Sequence, residues 1–419
     1  MFIAHKKRVR QSLLPVKLVL ASACIGLCLG GPSLAWSADA DGAPDQPAIS
    51  LHGFGTLGLT RGDDDHAQFV RDLSQPDGAG KFWNSTVDSL LGLQANIRLG
   101  ASTEGVVQVV SRYHADSSYR PELTWAFLRH DFSPDVSLRV GRLGTEFYML
   151  GDSRLVGYSN LTVRPPPDFY GSLVFSYIDG ADISATVPMA SGLLKAKLFA
   201  GKSPEKTPYA PGLLWDLTGS TLMGGYLDYQ SGPWQFRASL AQVQFGQEPP
   251  TDALLQSLGI NLGRPYLSLP TASGMAMANQ RASFSSLGLV YDRGPLNVQL
   301  MINQIRHDSL AYLDSKAGYV LAGFRLGAIT PYVGVSRSLS DPLPSGLDPV
   351  TNLLVVHSIT DQQTYTLGAR WDFHKNLSLK AQVDAIRGKP SSVFLVKGTD
   401  SGGWDGNMTV FSLALDFVF

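Results

Sequence analysis

The chain ends in FSLALDFVF, residues 411–419, and this ending alternates with a period of two. All odd-numbered positions are apolar, whereas Ser412 and Asp416 fall at even-numbered positions. Side chains of a β-strand point alternately to its two faces. One face of this segment is therefore apolar and the other partly polar, which is typical of a strand that separates lipid from a water-filled interior.

The same alternation recurs along the chain from Ile49 onward. Segments of about ten residues are separated by Gly, Pro, Asn and Asp, which favour turns. Sixteen segments are predicted as strands: 49–60, 89–100, 105–114, 122–132, 136–143, 180–190, 192–202, 220–231, 234–245, 282–293, 296–307, 316–327, 329–340, 362–373, 377–388 and 408–419. An even number of this size is typical of bacterial transmembrane barrels.

The connections between these segments support the same fold, because every second one is short and the others are mostly long. The long ones are 61–88, 144–179, 246–281, 341–361 and 389–407. A transmembrane barrel has tight turns at one end and longer loops at the other. We therefore predict an all-β fold, a transmembrane antiparallel β-barrel of about 16 strands over residues 49–419. Residues 251–260 predict a short helix within one loop.

Residues 1–38 have the pattern of a cleaved secretory signal peptide, followed by a short lead at residues 39–48. Five basic residues come before an apolar run from Leu18 to Gly31, and small residues follow it. We predict cleavage after Ala38 or Ala40. A membrane anchor helix is the alternative, but the apolar run is shorter than the roughly 18 residues that a spanning helix needs. Both cysteines lie in this segment, so the mature chain has no thiol nucleophile and no disulfide.

The composition argues against disorder and against nucleic-acid binding. Only 16% of the residues are charged and 44% are hydrophobic, which is too little charge for a disordered chain. Residues 1–38 contain five of the 34 basic residues and none of the 35 acidic ones, so the rest of the chain has a net charge of −6. A nucleic-acid partner normally requires a basic surface.

We find no convincing catalytic or metal-binding motif in the sequence. The histidines are scattered without metal-ligand spacing, and no nucleophile elbow is present. His66 follows three aspartates, 63–65, which is compatible with weak cation binding or with a solvated external loop. We expect no cofactor, no metal and no enzymatic activity. A barrel enzyme or adhesin is kept as an alternative.

The signal peptide, the terminal Phe419 and the rhythm of short and long connections resemble the Gram-negative general porins. The motif SLRVGR at residues 137–142 is similar to the fifth porin strand, which leads into the third external loop. The resemblance implies that this loop folds into the lumen and that the protein forms a homotrimer surrounded by outer-membrane lipid. It also implies that Phe419 and Phe417 form the signal for the barrel assembly machinery.

The alternation also predicts which charged side chains face the interior. It places Arg98, Arg112 and Arg139 on the polar faces of three predicted strands. For Arg129 the pattern leaves the direction open, and the porin resemblance turns it inward. Arg142 has the opposite parity to Arg139, so it reaches the lumen only if Gly141 forms a bulge.

These five arginines are compatible with a basic wall in a pore constriction. The resemblance implies that the inward loop opposes the wall with three acidic residues, Glu146, Asp152 and Asp168. The alternative is that the arginines are merely solvated lumen residues. The function expected from the resemblance is passive diffusion of small hydrophilic solutes and ions. A substrate-specific channel for an anion or a sugar is the alternative.

Overall fold

Sixteen antiparallel strands close into a barrel within the part of the chain that the structure describes. The structure is a computed structural model, and it describes residues 49–356, 358–389, 395–397 and 404–419. The barrel strands are β1 (Ile49–Gly62), β3 (Leu90–Arg98), β4 (Thr103–Arg112), β5 (Glu122–Ser133), β6 (Val136–Gly144), β7 (Tyr177–Met189), β8 (Gly192–Lys202), β11 (Thr221–Ser231), β12 (Trp234–Gln244), β13 (Arg281–Arg293), β14 (Leu296–His307), β15 (Ser315–Phe324), β16 (Ile329–Ser340), β17 (Asp361–His374), β18 (Leu377–Gly388) and β20 (Asn407–Val418). Consecutive barrel strands pair with each other, and β1 closes the ring by pairing with β3 and β20.

The predicted barrel of sixteen strands is confirmed. Every predicted segment overlaps a barrel strand, and no boundary differs by more than three residues. Alternation locates strands this well because a shift of one residue would turn every apolar side chain to the wrong face. The predicted signal peptide and the lead at 39–48 lie outside the described residues.

The two faces of the barrel wall differ sharply in character. On β1, Leu57 is 47% exposed, whereas the neighbouring Thr56 is 1% exposed. On β17, Leu367 is 61% exposed, and Thr364 on the other face is buried. We call the face with exposed apolar side chains the outer face and the other the inner face. The inner face carries most of the polar and charged strand residues.

The connections are short at one end of the barrel, which we call the turn end, and mostly long at the other, the loop end. Turns of two to four residues join strands at the turn end. The described parts of the loops contain two small two-stranded sheets, β2 (Ala67–Phe69) with β19 (Leu395–Lys397) and β9 (Lys206–Ala210) with β10 (Leu213–Asp216). They also contain the helices α1 (Pro167–Tyr170), α2 (Thr251–Ser257) and α3 (Pro349–Val356), and 3₁₀ turns at Gly157–Ser159, Tyr266–Ser268 and Pro270–Ala272. Helix α2 confirms the predicted helix at 251–260. Within the described residues, no helix has the length and apolar character needed to cross a membrane.

The largest apolar cluster forms between the inner face and the connection from β6 to β7. We call this connection, residues 145–176, the β6–β7 segment. Its Tyr148 and Phe169 are completely buried, and they share a cluster with Val243 of β12 and Tyr319 of β15. The packing of aromatic rings at centroid distances near 5 Å, such as 5.3 Å between Phe169 and Tyr319, fixes the segment against the wall.

Candidate functional site

The β6–β7 segment is attached to the inner face by buried ion pairs, of which the first is centred on Arg164. Its Nε and Nη2 atoms donate to the two carboxylate oxygens of Asp88 at 2.7 and 2.6 Å. Its Nη1 donates to Asp384 of β18 at 3.3 Å, and Nη2 also donates to Ser412 of β20 at 2.6 Å. The side chains of Arg164 and Asp88 are fully buried. A bidentate guanidinium–carboxylate pair has fixed geometry, so it sets the position of this part of the segment.

A second buried attachment comes from the barrel wall. The Lys380 ammonium of β18 lies 2.9 Å from the Asp416 carboxylate of β20, and both side chains are completely buried. The ammonium also donates to the carbonyl oxygens of Gly157 and Thr162, at 2.7 and 3.0 Å. Thr56 of β1 donates to the other oxygen of Asp416. The charge on each buried group is therefore compensated by a partner from another element.

The third attachment is Asp168, in helix α1. Its carboxylate accepts hydrogen bonds from Gln362 Nε2 of β17 at 2.6 Å and from the Ser336 hydroxyl of β16. Asp168 is completely buried. Burial raises the pKa of Asp168 to about 6, although the neighbouring donors act to lower it. Asp168 therefore faces β16 and β17 and not the arginines of β3–β6 that it was expected to oppose.

Charged inner-face residues remain accessible on the opposite part of the wall. Across β3 to β6, the strand register pairs Arg98 with Glu104, Glu104 with Arg129, and Arg129 with Arg139. Arg98 is exposed, and the side chain of Arg129 is 46% exposed and lies 2.8 Å from Asp131. The porin resemblance gives Arg129 an inward direction, and the pairing of Arg129 with Arg139 agrees with it. The row is mixed in sign, because Glu104 lies between Arg98 and Arg129.

Glu146 joins the segment to this charged wall. It lies 3.0 Å from Arg139 and 2.6 Å from Lys197, and it accepts a hydrogen bond from the Tyr226 hydroxyl at 2.8 Å. Arg139 also forms a hydrogen-bonded pair with Asp182 of β7. Burial alone would raise the pKa of Glu146, but the charges of Lys197 and Arg139 lower it to about 2. Of the three predicted loop acids, Glu146 contacts the basic wall, whereas Asp152 is exposed.

Two of the five predicted wall arginines are placed differently. Arg142 pairs with Asp179 at 2.6 Å and donates to the Leu123 carbonyl, on the outer face. Gly141 has a positive φ of 134°, but the register stays continuous, with Gly141 opposite Gly180. Since no residue is inserted there, the parity does not change, and the expectation that Arg142 joins the wall is wrong.

Arg112 lies at the loop end of β4, apart from the row formed by Arg98, Arg129 and Arg139. It is buried, donates to the Ser74 hydroxyl at 2.9 Å and lies 3.6 Å from the Asp72 carboxylate. Its partners belong to the loop between β1 and β3. Arg112 therefore connects that loop to the wall, and the inward row consists of three arginines.

The predicted assembly signal lies at the seam where the barrel closes. Phe419 and Gly53 exchange two backbone hydrogen bonds, of 2.8 and 2.9 Å. The ring of Phe419 lies nearly parallel to that of Phe417, at an interplanar angle of 14°. A Cβ added at Gly53 would lie 2.1 Å from the Phe419 ring, so the close contact requires glycine there.

One acidic cluster with the geometry to hold a cation was found among the described residues. Asp64, Asp65 and His66 can bring ligand atoms within 4.8 Å of one another. The side chain of Asp65 is largely exposed, and Lys81 lies 3.6 Å from its carboxylate. Exposed acidic groups with a nearby ammonium are common on solvated loops, so the cluster gives no support for a metal centre.

Apart from Asp168 and Glu146, the buried charges that attach the segment were not among the predicted site residues. Lys380, Asp384 and Asp416 occupy positions of inward parity, which is a signal that the sequence does contain. Their partners Arg164 and Asp88 lie in loops, where no periodicity exists to predict a direction. The pairs form only because the segment returns to the wall.

Comparisons with known proteins identify the fold. No family model matches the chain, and no curated protein matches it. Among solved structures, it is similar to in-vitro folded OmpT of Vibrio cholerae in its trimer form, with 13% identity, 90% of this chain and 100% of that chain covered, and a TM-score of 0.51. It is also similar to the anion-selective porin of Comamonas acidovorans, with 14% identity, 89% and 100% coverage and a TM-score of 0.53. Salmonella typhi OmpF in complex with daunomycin gives 12% identity, 88% and 97% coverage and a TM-score of 0.54. At these identities the likeness concerns the barrel fold.

Proposed function

We propose that this protein is an outer-membrane porin, a water-filled channel for passive diffusion of small hydrophilic solutes and ions. The observation that carries the proposal is the contrast between the two faces of a closed barrel. An exposed apolar outer face suits lipid, and a charged inner face suits water. The neighbour described as an anion-selective porin has the same fold.

The route for solutes runs along the accessible side of the interior. The β6–β7 segment covers the inner faces of β1, β16–β18 and β20, where Lys380, Ser378 and Asp416 are completely buried. Arg98 and Arg129 on β3 and β5 keep access to solvent. The segment corresponds to the inward third loop of the porin resemblance, and it makes the pore narrow and off-centre.

The charges along this route support weak ion selectivity. Arg139 is neutralised by Asp182 and Glu146, and Arg129 is paired with Asp131. Glu104 lies opposite both Arg98 and Arg129 in the strand register, so its carboxylate balances positive charge in this row. Rings or rows of fixed charge tune selectivity, and this nearly balanced row gives weak selectivity.

Export, assembly and oligomeric state follow from the same proposal. Residues 1–38 direct the chain across the inner membrane, and Phe419 marks it for the barrel assembly machinery. The functional unit is a homotrimer surrounded by outer-membrane lipid. Support comes from the neighbour whose structure is described as a trimer form.

The test is single-channel conductance of the purified, folded protein in a planar bilayer, with reversal potentials under a salt gradient and a series of added solutes. Stable ohmic steps that close in threes, with little block by sugars or phosphate, are expected. Saturable block by one solute would replace the general porin with a specific channel. The absence of conductance from a correctly folded barrel would contradict channel function and favour an enzyme or adhesin.

A further inference from the structure

The outer face carries an apolar groove with a volume of about 1050 Å³ that spans β8 and β11–β16. Leu198, Leu240 and Leu287 rise along it and are 66%, 69% and 55% exposed. Gly225 and Gly318 lie in its floor, where a Cβ atom would come within 2.4 Å of the Lys197 carbonyl oxygen and 3.0 Å of the Met301 carbonyl oxygen, respectively. Seven adjacent strands spaced about 4.8 Å apart give the groove a length of roughly 29 Å. Its size and shape suit an extended chain of methylene groups.

One end of this groove is basic, whereas the other end is apolar. Lys316 of β15 and Arg337 of β16 line the basic end. The register pairs Lys316 with Leu339 and Arg337 with Gly318, so the two cations are diagonal neighbours on the outer face. Cross-strand diagonal residues lie about 7–8 Å apart, which allows two long side chains to reach one headgroup.

A third cation extends this basic end. Arg306 of β14 is exposed on the outer face and lies two residues beyond Gln304, which pairs with Lys316. Three acidic groups lie nearby: Asp361 is 3.5 Å from Arg337 and 2.9 Å from Lys389, and the exposed Asp308 and Asp341 come two residues after Arg306 and after Leu339. One carboxylate is thus shared by two cations, and Lys316 and Arg306 have no ion pair within the described residues. The charged outer-face residues that line the groove itself are Lys316 and Arg337, and no described carboxylate is among its lining residues.

We propose that this groove binds an acyl lipid with a phosphate headgroup, which rests on the proposed membrane location of the barrel. The acyl chain lies between the leucines, and the phosphate lies between Lys316 and Arg337. The charge distribution supports this occupant, because an anionic head on an apolar chain matches a groove with one basic end. A cation that faces lipid is unfavourable unless an anion compensates it.

The experiment measures lipid retention by native mass spectrometry on the folded barrel in detergent micelles. The probes are dioleoyl phosphatidylglycerol, dioleoyl phosphatidylcholine with the same chains, and inorganic phosphate. Lys316→Gln and Arg337→Gln each remove one cation, and Ala238→Phe fills the groove without a change in charge. Arg61→Gln is the matched control, because Arg61 is an exposed arginine of β1 on the outer face, away from the groove.

We expect the wild-type protein to retain phosphatidylglycerol in preference to phosphatidylcholine. Each cation variant should weaken phosphatidylglycerol retention about fivefold, Ala238→Phe should weaken retention of both lipids, and Arg61→Gln should match the wild type. Equal retention by all variants, or competition by inorganic phosphate alone, would overturn the lipid site. Dimers that disappear in Ala238→Phe would assign the groove to a second copy of the chain.

Folding and conduction are measured separately from lipid retention. Heat-modifiable migration on gels reports whether each variant is folded in the same sample. Bilayer conductance then distinguishes the two proposals: a conducting barrel without lipid preference refutes the groove site alone, whereas a silent barrel with lipid preference refutes the channel alone.

Discussion

Arg164 and Asp88 are 76 residues apart in the chain and form a bidentate pair, at 2.7 and 2.6 Å, in which neither side chain is exposed to solvent. Arg164 belongs to the β6–β7 segment, and Asp88 precedes β3. The pair therefore connects two loops inside the barrel, and Asp384 contributes a second carboxylate from the wall. Removal of the Arg164–Asp88 pair should loosen the attachment of the β6–β7 segment and leave the barrel strands unchanged.

Arg164→Met should destabilise the attachment of the segment by about 3–5 kcal/mol, because two carboxylates lose their buried partner. The measurement is hydrogen exchange of the backbone amides in residues 145–176. A weaker attachment of the segment should appear as faster exchange of these amides. Arg120→Met is the control, since the Arg120 side chain is 74% exposed and should have little effect. Unchanged protection in Arg164→Met would show that aromatic packing and the other attachments hold the segment without this pair.

Replacement of Arg98 and Arg129 by Gln should shift ion selectivity toward cations, because positive charge is removed from the accessible part of the interior. The measurement is the reversal potential across a bilayer under a potassium chloride gradient. Arg142→Gln provides the matched control, because Arg142 is an arginine of the same wall whose side chain lies on the outer face. If the inner variants give the same reversal potential as this control, the arginines are only solvated residues.

The segment should be held more tightly at pH 5 than at pH 7 through Asp168. Its pKa is about 6 in the folded protein against an ordinary value of 3.8. Between these values the folded state binds a proton that the unfolded state releases, so stability falls as the pH rises from about 4 to about 6. The change amounts to at most about 3 kcal/mol. Thermal unfolding of the wild type and Asp168→Asn at both pH values tests this, and the same pH response in both proteins would exclude Asp168 as its source.

Phe419→Ala should lower the amount of heat-modifiable protein in the outer membrane several-fold. Phe419 packs beside Phe417 and Gly53 at the seam, and the porin resemblance makes it the signal for barrel assembly. Phe373→Ala is the control, because Phe373 is another exposed aromatic residue near the turn end. Normal levels of folded Phe419→Ala would refute its assembly role.

The strands and their inward residues were predictable to a large extent. The directions of Arg98 and Arg139 followed from alternation, since a strand residue's direction depends only on its position along a regular backbone. Arg142 was the uncertain case, because a bulge at Gly141 would have reversed its direction. The register is continuous there, which shows that a glycine with positive φ need not insert a residue.

The amino-acid sequence contained enough information to specify a barrel, the number of its strands and the character of both faces, because period-two alternation is a local property of each segment. The attachment of the β6–β7 segment could not be obtained in this way. Lys380 donates to the Gly157 carbonyl, which is 223 residues away in the chain. Arg164 pairs with carboxylates of β18 and of the loop before β3. Such contacts depend on how a loop without periodicity returns to the closed wall. The shape of the barrel interior is therefore a result of long-range packing and buried charge pairing.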